Sequence, residues 1–339
     1  LKVIGMNYKE NILELIGRTP MVKIANGRRS EGPLMLLKLE FMSPGGSVKD
    51  RMAYYILREA MEKGILKPGD TVIDNTSGNA GVGLAMVAIV LGLRAILTTP
   101  EKTSKEKVDL IKSYGAEVVI TPNTLDHNDP EGYYMKAINL AKEHGYFHMN
   151  QYHSHENIMA HYATTGPEIW EDTDGKITHL VAGIGTGGTL SGAAKFLKEK
   201  NEKIRSIAVD PVGSIFADYI RNNVVIEPGE YKVEGIGSDC VTGALYPDMI
   251  DEVITVSDEK SFDTARQLAQ QEGILGGGST GAAVWAARNV AKKVEADGVI
   301  VVIAPDSGTR YLSKCFNDDW MKEQGFLKDA HDKKKLEVT

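Results

Sequence analysis

"THLVAGIGTGGTLSGAAKFLKEK", residues 178–200, decides the fold class. An apolar run of strand length, 178–184, passes through a glycine-rich turn into a helical pattern over 189–200. The same order recurs along the chain. Strand patterns at 70–74, 94–99 and 116–121 alternate with helical patterns at 79–93, 104–115 and 131–145. Farther on come strands at 206–210, 251–256 and 299–304, with helices at 258–273 and 280–294. Apolar strands separated by helices predict parallel sheets covered on both faces. There are enough strands for two doubly wound, open α/β sheets. Ligands on such folds sit at the carboxyl ends of the strands, where the loops converge.

The chain has 339 residues, natural for two units. Its 42% apolar and 25% charged content is that of an ordinary globular protein. A net charge of −7 with no basic stripe argues against a nucleic-acid partner. No apolar run reaches membrane-spanning length, and the first residues show no leader pattern. The two cysteines, Cys240 and Cys315, are far apart and outside any C-x-x-C. A reduced, cytoplasmic setting is therefore the expectation. Residues 328–339 are expected to be a frayed polar tail.

Four glycine-rich loops stand at strand-to-helix junctions or helix starts. In "SPGGSVKDR" (43–51) a tight turn delivers Lys49 to the start of a helix. The macrodipole disfavours a cation there, so the lysine pKa should fall, as Schiff-base chemistry requires. "NTSGNAG" (75–81) offers Thr76, Ser77 and Asn79 at a helix N-terminus, a place for a carboxylate or phosphate, or simply a helix cap. Gly185, Thr186, Gly187, Gly188 and Thr189 can wrap an anion in backbone N–H groups. Alternatively, Gly183, Gly185 and Gly188 satisfy G-x-G-x-x-G, with Asp210 as the ribose acid of a dinucleotide oxidoreductase. In "GILGGGSTGAA" (273–283), Ser279 or Thr280 can cap a helix, or present a hydroxyl to a cofactor.

Taken in order, "GGSVKDR", "TSGNAG", "GTGGT" and "GGGSTGA" resemble the pyridoxal-phosphate enzymes of the tryptophan-synthase β fold, the cysteine synthase and cystathionine β-synthase family. The resemblance runs from residue 11 to residue 326. Five stretches lean toward the cystathionine β-synthases: "PEKTSKEKV" (100–108), "AHYATTGPEI" (160–169), "VDPVGSI" (209–215), "VEGIG" (233–237) and "PDSGTRYLSKCFNDDWM" (305–321). The resemblance implies that Lys49 carries the cofactor and that Asn79 meets its ring oxygen. It implies that Gly185 to Thr189 hold the phosphate and that Ser279 faces the pyridine nitrogen. Thr76, Ser77 and Gln151 would bind the substrate carboxylate. Gly235, Ser238 and Asp239 would lie on the substrate side.

The implied reaction is β-replacement on serine, O-acetylserine or cysteine with a thiol acceptor. Homocysteine comes first; sulfide uptake or release is the alternative. A homodimer is implied too. The implied units are a smaller mobile domain, 46–150, and a larger one, 1–45 plus 151–327. Two departures stand out: Ala80 where threonine is usual, and Ser238 where cystathionine synthases carry tyrosine. The short flanks imply no haem-binding extension and no regulatory adenosyl-binding module. His153, His155 and His161 lack a recognised zinc spacing, so no metal is expected.

Overall fold

The computed structural model describes residues 8–25, 32–76, 78–101, 103–123 and 128–327. Ser77 and the tail 328–339 lie outside the described residues. The strands are β1 Met21–Lys23, β2 Leu34–Leu39, β3 Thr71–Asn75, β4 Arg94–Pro100, β5 Glu117–Thr121, β6 Phe147–His148, β7 His179–Gly183, β8 Arg205–Pro211, β9 Glu252–Val256 and β10 Val299–Ala304. The helices are α1 Lys49–Glu62, α2 Asn79–Val90, α3 Lys105–Ser113, α4 Tyr133–His144, α5 His155–Ala163, α6 Thr165–Asp172, α7 Gly188–Lys200, α8 Phe216–Asn222, α9 Asp258–Glu272, α10 Gly278–Val290 and α11 Asp318–Glu323.

They form two sheets. The larger has the order β1-β2-β10-β7-β8-β9, parallel except for the β1–β2 pair. The smaller, β5-β4-β3-β6, is all parallel. Strand β10 shows why: all six of its residues are buried. Ile300 and Val302 pack with Val181, Ile207 and the α10 alanines on one face. Val301 and Ile303 pack with Leu180, Ala182 and the α7 residues Ala193 and Leu197 on the other. Period-two alternation thus feeds two separate cores. In the smaller sheet, Val72 and Leu97 pack with α1 and α2, while Ile73 meets α4 on the opposite face.

Two details set the site. Gly83 of α2 faces the start of α1 so closely that a Cβ there would lie 3.2 Å from the Lys49 carbonyl carbon. Beneath α1, Arg51 is 2% exposed and held on two sides. It donates to both carboxylate oxygens of Glu40, at 2.6 and 2.9 Å, and to both of Glu168, at 2.6 and 2.7 Å. Lys38, wholly buried in β2, pairs with the same Glu168 at 3.0 Å.

Candidate active site

The loop between β7 and α7 runs from Gly183 to the N-cap Gly187. The backbone N–H groups of Gly185, Thr186, Gly187, Gly188 and Thr189 have no acceptor among the described residues. The rest of the loop is tied from behind. Thr242 donates to the Thr186 carbonyl at 2.8 Å. Asn157, 1% exposed, donates to Thr186 Oγ1 at 3.0 Å and to the Gln151 carbonyl at 2.8 Å. His161 Nε2 lies 3.1 Å from Thr189 Oγ1, and its Nδ1 lies 2.8 Å from Thr165 Oγ1. Burial, with the nearby Arg51 and Lys49 charges, drives the His161 pKa well below its ordinary value, so the ring is neutral. Unpaired N–H groups converging on a helix N-terminus make an anion cradle.

Lys49 is the first residue of α1. The preceding turn is pinned to the end of β10: the Val48 N–H donates to the Pro305 carbonyl at 2.8 Å, and Ser47 bridges Asp306. On the other side the Gly277 N–H donates to the Asp306 carbonyl at 3.1 Å. Segments 47–49 and 276–279 therefore flank 305–307, with Lys49 just past one pairing and Ser279 just past the other. Burial lowers the Lys49 pKa to about 8, against an opposing pull from Asp306. Ser279 is 2% exposed, and its hydroxyl has no hydrogen-bond partner among the described residues. Neither Ser279 nor Thr280 caps α10; Gly277 is the N-cap.

Thr76 and Asn79 flank the third part of the site. Thr76 Oγ1 accepts from the Gly78 N–H at 3.0 Å and the Gly81 N–H at 3.3 Å, which leaves its own O–H to donate outward. Gln151 Nε2 donates to the Asn75 carbonyl at 2.9 Å, so it sits beside this loop. Asn79 is fixed on both polar atoms: Nδ2 donates to Asp306 Oδ2 at 2.7 Å, and Oδ1 accepts from Arg310. One amide hydrogen remains for a further acceptor. The cap of α2 is Gly78 and involves no side chain.

Residues 12–306 match the family model described as "Pyridoxal-phosphate dependent enzyme". The chain belongs to the pyridoxal-phosphate-dependent enzymes. It is 44% identical over 320 residues to the cystathionine beta-synthase of Apis mellifera, covering 94% of this chain and 63% of that protein. It thus spans less than two thirds of that relative's length. It is 40% identical over 305 residues to a cysteine synthase of Staphylococcus aureus (strain Mu50 / ATCC 700699), covering 90% of this chain and 96% of the relative. The solved structure of O-ureido-L-serine synthase superposes with a TM-score of 0.84 at 34% identity, covering 93% of this chain and all of that one.

The residues fit a pyridoxal-phosphate enzyme. Five orphan N–H donors suit its phosphate, an amine with a lowered pKa suits its aldehyde, and an unpartnered buried hydroxyl suits its ring nitrogen. The dinucleotide reading fails on Asp210. That carboxylate is wholly buried and accepts from the Ala217 N–H at 2.8 Å in the first turn of α8. The three histidines go to three different partners. His153 accepts from the Gly243 N–H, His155 meets the Tyr246 hydroxyl, and His161 meets Thr189 at the start of α7.

The loop after β8 divides in its behaviour. Gly235 abuts the 185–189 loop: a Cβ on Gly185 would lie 2.6 Å from the Gly235 carbonyl oxygen. The Ser238 hydroxyl is spent within its own turn, donating to the Cys240 carbonyl at 2.7 Å and accepting from the Cys240 N–H at 3.2 Å. Asp239 is exposed. Ala80 joins the apolar core of the small sheet. Cys240 and Cys315 form no disulfide.

Sequence reasoning missed the residues that hold these groups in place. Asp306, 1% exposed, accepts from Asn79 and, at 2.6 Å, from the Tyr311 hydroxyl. Burial pushes its pKa up, and those two hydrogen bonds oppose the rise. An acid closing an all-apolar strand was the available signal in "VIVVIAPD". Asn157 and His161 carried no local signal.

The lowered amine predicts a pH dependence. Only neutral amine condenses with an aldehyde, and the neutral fraction grows as pH rises through the folded-state pKa. The rate at which apoenzyme takes up pyridoxal phosphate, followed by visible absorbance, should climb with a midpoint near pH 8 and then level off. A midpoint near 10.5, the ordinary lysine value, would show that burial does not act on this amine.

Proposed function

We propose that this enzyme catalyses β-replacement on L-serine, O-acetyl-L-serine or L-cysteine with a thiol acceptor, homocysteine first, giving cystathionine. The reading is supported by the buried Lys49 with its lowered pKa, by the N–H groups of 185–189 that lack an acceptor among the described residues, and by the buried Ser279 on a segment that pairs with 305–307. When bound, pyridoxal phosphate supplies an electron sink for charge developing at the substrate α-carbon. Gly185 to Thr189 would hold its phosphate and Asn79 its ring oxygen.

Lys49 Nζ would hold the cofactor at rest, take the α-proton once substrate displaces it, and return a proton after the thiol adds. Its pKa near 8 leaves it poised to do both near neutrality. Ser279 would face the ring nitrogen as a neutral group. A hydroxyl does not protonate that nitrogen as a carboxylate partner would, so the α-carbon charge is held less firmly and the β-substituent leaves promptly. Thr76, Ser77 and Gln151 would grip the carboxylate, and unit 46–150 would close on the remainder to exclude water. Gly235, Ser238 and Asp239 would border the acceptor side. We propose a cytoplasmic homodimer. Among the described residues no helix is long and apolar enough to cross a membrane.

Relatives of both kinds, a cystathionine beta-synthase and a cysteine synthase, support a thiol acceptor, and homocysteine is put first on the five sequence stretches that lean toward the cystathionine β-synthases. The test is purified holoenzyme with each donor in turn, serine, O-acetylserine and cysteine, against homocysteine and against sulfide, with products resolved by mass. Cystathionine is the expected product. Turnover with sulfide alone would assign cysteine synthesis instead. No replacement product from any pair would overturn the reading.

A further inference from the structure

Three stretches that resembled the cystathionine β-synthases, with no role assigned to Lys107, Glu234 or Lys314 in them, are brought together by the fold. They are 100–108, 233–237 and 305–321. Lys107, in the first turn of α3, forms an ion pair with Glu234 Oε2 across the gap between the two sheets. Lys314 Nζ reaches the other oxygen, Glu234 Oε1, at 2.5 Å. Two ammonium groups thus share one carboxylate. Burial alone would raise the Glu234 pKa, yet the two lysines bring it below the usual range, so the carboxylate is ionised.

The position of Lys107 gives the cluster its meaning. Its side chain is 11% exposed and lies along Gly78, where an added Cβ would be 3.6 Å from Cδ, Cε and Nζ alike. Its ammonium stands 5.4 Å from the centroid of the Tyr311 ring. Tyr311 donates to Asp306, and Asp306 accepts from Asn79, the residue next to Gly78. The contacts close a ring: Gly78, Lys107, Tyr311, Asp306, Asn79. On its far side Glu234 adjoins Gly235, which rests on the 185–189 loop.

We propose that the Lys107–Glu234–Lys314 triad pins Gly78 and Asn79 against the 233–237 loop, and that Lys107 is thereby a positioning residue for the amino-acid substrate. The inference rests on the reading that the 76–79 loop receives the substrate carboxylate. The pin touches neither cofactor nor reacting atoms. It fixes the place of the loop that grips the donor, so its loss weakens donor binding and spares cofactor binding.

The test titrates L-serine into holoenzyme and follows the visible absorbance of the bound cofactor. Lys107→Met keeps the stem that lines Gly78 and removes the charge; Glu234→Gln keeps the shape and removes the charge. Each should weaken serine binding about tenfold, raising KM more than it lowers kcat. Cofactor content and Tm should stay at wild-type values. Because the two act as one pin, the double variant should be no weaker than the worse single one. Unchanged serine affinity in both singles, losses that multiply in the double, or a parallel loss of cofactor would each overturn the proposal. If wild-type holoenzyme responds to none of serine, O-acetylserine or cysteine, the proposed function itself fails. A wild-type response with unaltered variants removes this inference alone.

Discussion

Lys49→Ala yields a folded protein without turnover. The side chain carries two duties in the proposed reaction, holding the cofactor and moving the α-proton, and alanine does neither. Loss of positioned proton transfer alone costs about 10²–10⁴-fold, so the rate should fall by at least about a hundredfold. Borohydride should no longer fix cofactor to the protein. Fixation on another lysine would remove Lys49 from the site. The fold should survive, because the Lys49 ammonium makes no ion pair among the described residues.

The variant also has a stability signature. In wild-type apoenzyme the folded-state pKa is about 8 and the ordinary value 10.5. Between these values the unfolded chain binds a proton that the folded one does not, so stability rises with pH across that window. The alanine variant should lose this slope. Retention of the full slope would place its origin elsewhere.

Gly187→Val should strip the cofactor from the enzyme. Gly187 has φ of +93°, a region that costs an L-residue roughly 1–2 kcal/mol and a β-branched one more. A Cβ there would meet Leu245 Cα at 2.7 Å and the Ala244 carbonyl oxygen at 3.0 Å. Both are backbone atoms, so the loop must shift rather than its neighbours. The N–H groups of the cradle then no longer converge. Losing two hydrogen bonds to an anion, about 1.5–3 kcal/mol each, weakens pyridoxal phosphate binding by a hundredfold or more. Equilibrium dialysis measures this, with circular dichroism to verify that the apoenzyme remains folded. Cofactor affinity equal to wild type would rule out the cradle.

Every strand and helix pattern read from the sequence is present, because each is a long apolar run or a clear helical period. The elements that escaped reading have physical reasons. Strand β2 contains Lys38, a cation that becomes wholly buried only because Glu168 comes to meet it. Strand β6 is two residues long. Helices α5 and α6 abut at Thr164, which blurs their separate periods. The site divides likewise. Lys49 and the glycine loops are legible because local chain geometry demands those residues. Asp306 and Arg310 are not, because the bonds that give them meaning reach Asn79, 227 and 231 positions away.

The buried clamp on Arg51 has a mechanical result. Arg51 is two residues past Lys49, in the same first turn of α1, and both of its carboxylate partners come from outside residues 46–150. The remainder of the helix packs on the small sheet. The helix is therefore anchored at its head and carried at its tail. In the proposed closure, a rotation of the small sheet would bend or pivot the chain beyond Arg51, and the span from Lys49 to the proposed phosphate cradle would stay constant through it. The proposed reactive amine would then ride with the stator, while the loop proposed to grip the amino acid would belong to the rotor.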